Sequence, residues 1–240
     1  MKIIAEVIGG SHLYGLSTPE SDIDKRGVFL NTEYSKILGL ERLEIIKKES
    51  EDTVYFEFSQ FLRSLRKTNT QMIELLFSNN NSFTQITEEF IFVRENKYKL
   101  IDSELFFKSL VGYIQSEKRL ANGERTGKLG SKRKSSIDKY GFSPKNFCHL
   151  FRLAHCGKVF FETDSYPTNV AYENKEVGAF LRSIKTQPEK YKKEDLNVLF
   201  DEFFIKLIES FDKRKNTFKF NYEFANHLCY KFYMPYLINI

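Results

Sequence analysis

The chain has 240 residues, with 37 Lys and Arg against 32 Asp and Glu for a formal net charge of +5; hydrophobic residues make up 41%, including 24 Phe and no Trp. That length and balance can bury one large core or two small ones and exclude a disordered chain, while the modest charge permits a polyanionic partner without demanding one. No apolar run approaches the roughly 20 residues needed to span a bilayer, and the first residues lack a signal-peptide pattern, so a cytoplasmic protein with no membrane partner is expected.

In chain order, residues 2–8 are β-branched and read as a buried strand that breaks at Gly9-Gly10. Ser11 to Leu16 suits one or two helical turns, ended by Ser17-Thr18-Pro19. A second strand is predicted over Ile23–Leu30, with Asp22 and Asp24 at its start. Leu43–Ile46 and Thr53–Phe58 read as further strands around the charged hairpin Lys47–Asp52. From Ser59 the period becomes helical, with two short helices flanking Thr68-Asn69-Thr70 and a long one over Ser103–Leu120, stopped at Asn122-Gly123. Residues 124–139 are basic and Gly- and Ser-bearing, and are expected to form a mobile loop. Helices follow at about 143–158, 193–213 and 221–234. The expected class is α/β (α+β): a small mixed-sheet domain over 1–80, then a mainly helical domain over 81–240.

The chemistry concentrates in Gly9–Gly15 and Ser21–Gly27. A strand that stops at Gly10-Ser11 before a short helix offers free N–H groups and a hydroxyl at the helix's positive end, a setting that suits phosphate. Asp22 and Asp24 sit two apart, so on a strand both carboxylates face one side and would repel unless a cation lay between them. Mg²⁺ takes one or two carboxylates together with substrate phosphates. A lone Gly-Ser turn is ordinarily just a turn, and a lone Asp-x-Asp ordinarily a solvated strand start; their joint occurrence with Tyr14-Gly15 and Arg26-Gly27 carries the functional reading. Arg26 is open to two roles, phosphate contact or structural ion pair. Cys148, Cys156 and Cys229 form no CxxC pair and fit reduced thiols, and no Cys/His spacing suggests zinc.

Gly10-Ser11-x-x-Tyr14-Gly15 followed by Ser21-Asp22-x-Asp24-x-Arg26-Gly27-Val28 resembles the DNA polymerase β-like nucleotidyltransferase superfamily. Within it, the string is similar to a bacterial and phage branch that includes an RNA-ligase-associated type. The segment from Asp52 to Leu62 and the segment Gln71–Phe77 resemble the branch's next strand and helix. That helix usually begins Asn-Pro, and here reads Asn69-Thr70. Tyr140-Gly141-Phe142-Ser143-Pro144-Lys145, with His149 and Arg152, resembles a later helical motif. The resemblance implies a third metal carboxylate, Asp52 with Glu57 as the alternative, and two Mg²⁺ ions held by Asp22, Asp24 and Asp52. It implies nucleotide or phosphate contacts at Gly10, Ser11, Tyr14, Arg26, Lys145, His149 and Arg152. The last three fall at i, i+4 and i+7 and are expected to form one basic stripe.

The expected function is Mg-dependent transfer of a nucleoside monophosphate from an NTP to a hydroxyl, on an RNA end or a protein side chain. The alternative is a catalytically weak nucleic-acid-binding or antitoxin-like module of the same fold. Retention of a mutually repelling carboxylate pair favours the enzyme.

Overall fold

The computed structural model describes residues 1–48, 52–124, 131–214 and 216–238, with Lys132 described by its backbone alone. The tip of the charged hairpin, 49–51, lies outside these residues. The chain forms two compact units: residues 1–106 together with 217–240, and residues 107–216.

The first unit is built on a five-stranded sheet. Its strands are β1 (Lys2–Ile8), β2 (Lys25–Leu30), β3 (Ile45–Lys48), β4 (Thr53–Glu57) and β5 (Phe83–Ile86), in the order β3-β4-β2-β1-β5. Only β2 and β4 pair in parallel; the other neighbours are antiparallel. The class is therefore mixed α+β. β5 lies past residue 80 and pairs with β1, so the sheet extends beyond the 1–80 segment.

Short helices α1 (Gly10–Leu13) and α2 (Tyr34–Ile37) punctuate the strands, and α3 (Phe58–Arg66), α4 (Thr70–Phe77) and α5 (Glu88–Glu95) supply the apolar cover. Phe58, Phe61, Leu65, Met72, Ile73 and Phe90 are fully buried. At about 25 cal/mol per Å² of apolar surface, each contributes roughly 2 kcal/mol towards holding its helix in place. The Asn69 side chain accepts from the Gln71 N–H at 2.9 Å and caps α4. Thr70 then occupies the first helical position, where proline is favoured but not required. The departure from Asn-Pro leaves the cap intact.

The last helix, numbered α12 (Tyr222–Leu237) in chain order, belongs to this unit as well. Its Phe232 ring packs on Phe58 at 5.1 Å, and its Tyr233 hydroxyl donates to Glu57.

The second unit is helical: the body of α6 (Ser103–Ala121), then α7 (Ser131–Tyr140), α8 (Pro144–Thr163), α9 (Val170–Glu173), α10 (Lys175–Thr186) and α11 (Lys193–Asp212). α8 is the central helix, buried along nearly its whole length because its apolar residues go all the way round. Phe151 stands edge-on to Phe180 of α10 and to Phe200 and Phe203 of α11 at 5.0–5.6 Å. Edge-to-face pairs of this kind add about 1 kcal/mol each beyond area burial.

The expected loop at 124–139 is corrected in part. Residues 131–140 are helical, and α7 is anchored by Ile137, which lies beside Gly123 at the end of α6. Arg125, Lys128 and the Lys132 side chain fall outside the described residues. The three cysteines are free, and no described helix is long and apolar enough to cross a membrane.

Candidate active site

β1 ends at Ile8, and the Gly9 N–H donates to the Asp24 carbonyl at 2.8 Å, which fixes the Gly-Ser turn against the segment leading into β2. Gly10 has φ +58°, the left-handed region that favours glycine. A Cβ added there would lie 1.8 Å from Asp24 Oδ2. The space beside Gly10 is occupied by the Asp24 carboxylate. α1 is a single turn, and its Ser11 side chain makes no hydrogen bond among the described residues.

β2 begins at Lys25, two residues later than expected. Asp22 and Asp24 therefore precede the strand, and the alternation that would place both on one side does not extend to Asp22, which is exposed. Asp24 is half-buried and has a different companion. Arg26 places its guanidinium between two carboxylates, 3.8 Å from Asp24 Oδ1 and 3.8 Å from Asp52 Oδ1. It is held there by donating to the carbonyls of Lys25 at 2.9 Å and Asp52 at 3.0 Å. Asp52 has φ +43°, a conformation costing about 1 kcal/mol for a non-glycine residue, and its carbonyl also receives the Lys25 N–H.

The parallel register pairs Arg26 with Val54 and Lys25 with Thr53. By strand alternation Val54 shares the Arg26 face, while Glu57 lies on the other; Asp52 precedes β4 and is brought to Arg26 by its own turn. Glu57 is buried and accepts from the Ser59 N–H at 2.9 Å, the Ser59 hydroxyl at 2.6 Å and the Tyr233 hydroxyl. It is the N-cap of α3. Of the two candidates for the third carboxylate, Asp52 shares Arg26 with Asp24 and Glu57 caps a helix.

The opposite face of the same strands carries a polar row that sequence reasoning missed. Glu6, Gly27 and Tyr55 are consecutive in register across β1, β2 and β4. The Tyr55 ring crosses over Gly27, where an added Cβ would sit 2.6 Å from Tyr55 Cδ1, and its hydroxyl donates to Glu6. Thr84 donates to Glu6 at 2.5 Å and Lys25 Nζ stands 3.4 Å away. Burial alone would raise the Glu6 carboxyl, but the Thr84 and Tyr55 hydrogen bonds and the Lys25 charge outweigh it and hold it below its usual value. A carboxylate inside Ile3-Ile4-Ala5-Glu6-Val7-Ile8 was the available signal, since a buried charge needs donors.

Tyr14, expected at the nucleotide, donates to Glu74 of α4 at 2.9 Å. The first and third matched segments thus meet through a partly buried hydrogen bond.

Lys145, His149 and Arg152 lie on α8 in the second unit and do not form a solvated stripe. Lys145 is exposed, His149 half-buried and Arg152 only 1% exposed. Arg152 donates to His149 Nδ1 at 3.2 Å, so Nε2 carries the proton and faces the Tyr113 hydroxyl at 2.9 Å. Burial, then the charges of Arg152 and Lys145, push the His149 imidazole down to about 3. His149 is held neutral by its neighbours.

Asp24 and Asp52 are hard oxygen donors already sharing one cation between them, a donor set that suits Mg²⁺ completed by phosphate oxygens and water. Among the described residues, no group of three or more His, Cys, Asp or Glu stands together as a metal cluster. No match is found among curated proteins. The family model described as the RNA repair pathway DNA polymerase beta family matches residues 1–228. With nearly the whole chain matched, and the Gly-Ser turn set against Asp24 on a mixed sheet, this protein belongs to the RNA repair pathway DNA polymerase beta family.

Proposed function

We propose that the first unit transfers a nucleoside monophosphate from an NTP to a hydroxyl at an RNA end, with Mg²⁺ at Asp24 and Asp52. The supporting observation is the convergence of Gly10, Asp24, Arg26 and Asp52 at the starts of β2 and β4, with the Ser11 hydroxyl on the same turn as Gly10. The acceptor oxygen would bond to the α-phosphorus as the bond to the β-phosphate breaks, and pyrophosphate would leave. Bound Mg²⁺ would supply a lowered pKa for the attacking hydroxyl and charge neutralisation for the leaving group, with a second ion dividing those tasks. Asp24 and Asp52 would orient the metal, and the Gly-Ser turn would bring backbone donors against the phosphates. RNA is favoured over a protein acceptor by the family's place in RNA repair. The exposed cations of α7, Lys134 and Lys139, also suit a polyanion. Within the second unit, Arg152 and His149 would act by holding α8 and Tyr113 in place.

The test is incubation with each α-labelled NTP, Mg²⁺ and RNAs of defined ends, comparing wild type with Asp24→Asn. Label is expected on RNA with wild type. The variant should lose at least about a thousandfold in rate, roughly 4 kcal/mol of barrier. Retention of more than about a tenth of the wild-type rate would remove the metal assignment. Saturable RNA binding without label transfer from any NTP would return the recognition-only module.

A further inference from the structure

Two carboxylates facing one site repel, and the sequence alone suggests that removing either would relieve the folded protein. The geometry says otherwise, because Arg26 already stands between Asp24 and Asp52 at 3.8 Å from each. Resting on the metal-site reading above, we propose that Arg26 is the resident counter-cation of this pair, and that a divalent ion enters only as Arg26 gives up its hold on the two carboxylates.

Three features support an exchangeable role. The ion pairs are long, at the outer edge of contact, whereas the carbonyl bonds to Lys25 and Asp52 are short at 2.9 and 3.0 Å. Small rotations at the end of the side chain can therefore weaken the carboxylate contacts while the backbone anchors persist. The Arg26 side chain is 23% exposed, so water can solvate the guanidinium once it withdraws. Asp52 is more exposed still, and its carboxylate can turn towards an incoming ion.

The competition is between two cations for the same oxygens, and the fixed one repels the mobile one at short range. Arg26 would keep the pair compact without metal and set a threshold below which divalent ions do not bind. Triphosphate would then help twice, by adding oxygen ligands for the metal and by giving the displaced guanidinium a new anionic partner.

The experiment measures Mn²⁺ binding without nucleotide, by electron paramagnetic resonance of the free ion, for wild type, Arg26→Met, Arg26→Lys and Asp24→Asn. Thermal melting with and without Mn²⁺ accompanies it. Arg26→Met is expected to bind Mn²⁺ about tenfold more tightly, equivalent to ~1.4 kcal/mol. It should also melt lower than wild type without metal and gain more from Mn²⁺, because the unscreened carboxylates repel until the ion arrives. Arg26→Lys keeps the charge but not the two carbonyl anchors, and should fall between.

If Arg26→Met leaves Mn²⁺ affinity unchanged or weakens it, while wild-type binding still depends on Asp24, the counter-cation proposal is overturned and the metal site stands. If wild type shows no Asp24-dependent Mn²⁺ binding, the site itself fails. Circular dichroism of each variant separates either result from unfolding.

Discussion

Arg26 in the first unit and Arg152 in the second both lie in segments that match the family pattern, and both are candidates for phosphate contact, Arg26 with a structural ion pair as its alternative. Arg26 is part-exposed between two carboxylates and tied to backbone carbonyls. Arg152 is sealed inside α8's surroundings and donates to an imidazole that burial, and then the Arg152 charge, push towards the neutral form. The difference teaches that cations in matched motifs can sit in opposite settings. One is part-exposed beside carboxylates, and the other is buried against an imidazole. Substitution should separate them, because the first kind of change reads out in chemistry and the second in stability.

The largest expected effect is Gly10→Val. Its Cβ must displace the Asp24 carboxylate and adopt a left-handed backbone. Transfer should fall by about a thousandfold or more, roughly 4 kcal/mol. Ser11→Ala, which removes only a hydroxyl, should lose about tenfold. Kinetics on the labelled transfer check the order, and a larger loss from Ser11→Ala would mean that the hydroxyl outweighs the glycine's clearance of Asp24.

Next in size is Arg152→Ala, expected to destabilise the second unit by about 3 kcal/mol through a cavity and an unpaired imidazole nitrogen. Urea unfolding measures it. A loss near zero, with transfer abolished, would make Arg152 a ligand rather than a support.

The smallest is a difference in acid. His149 is pushed down to about 3 from an ordinary 6.5, so the unfolded chain takes up its proton first. Stability from this group is full above pH 6.5 and drains as pH falls below it, at up to about 1.4 kcal/mol per pH unit. His155 is pushed down in the same direction by burial. Glu6 is also held below its usual 4.5, and its contribution is lost only as pH falls below that value. Between pH 6.5 and 4.5 the second unit should therefore soften while the Glu6 row holds. Hydrogen exchange at pH 7 and pH 5 tests this, and equal protection losses in both units would contradict it.

Much of the fold was legible. The β-branched run at 2–8 and the apolar spacing of Ser103–Ala121 set local structure strongly enough that little could override them. Lys25 as the first residue of β2 was not legible, because Asp22-Ile23-Asp24 before it alternates polar and apolar as a strand would. α7 was read as loop since Ile137 is the one aliphatic residue in its sequence and its other residues are mostly charged or small. β5 has four residues, too few for a period to show. At the site, the Gly-Ser turn and Asp24 could be read directly because their chemistry depends on residue type. Arg26's position between Asp24 and Asp52 could not, since it depends on the parallel register of β2 and β4. Glu57's burial under Tyr233 was equally hidden, because Tyr233 lies 176 residues further along the chain.

That last contact bears on how the protein is made. α12 packs against α3 in a unit whose other residues end at Phe106. On a ribosome adding about 5–20 residues per second, roughly 7–25 s would separate synthesis of Phe106 from completion of α12. Through that interval Phe58 lacks the Phe232 ring and Glu57 lacks the Tyr233 hydroxyl. The second unit, contiguous over 107–216, can finish first. The order of completion is the reverse of the order of sequence, so the sheet bearing the carboxylates is the last part of the protein to be closed.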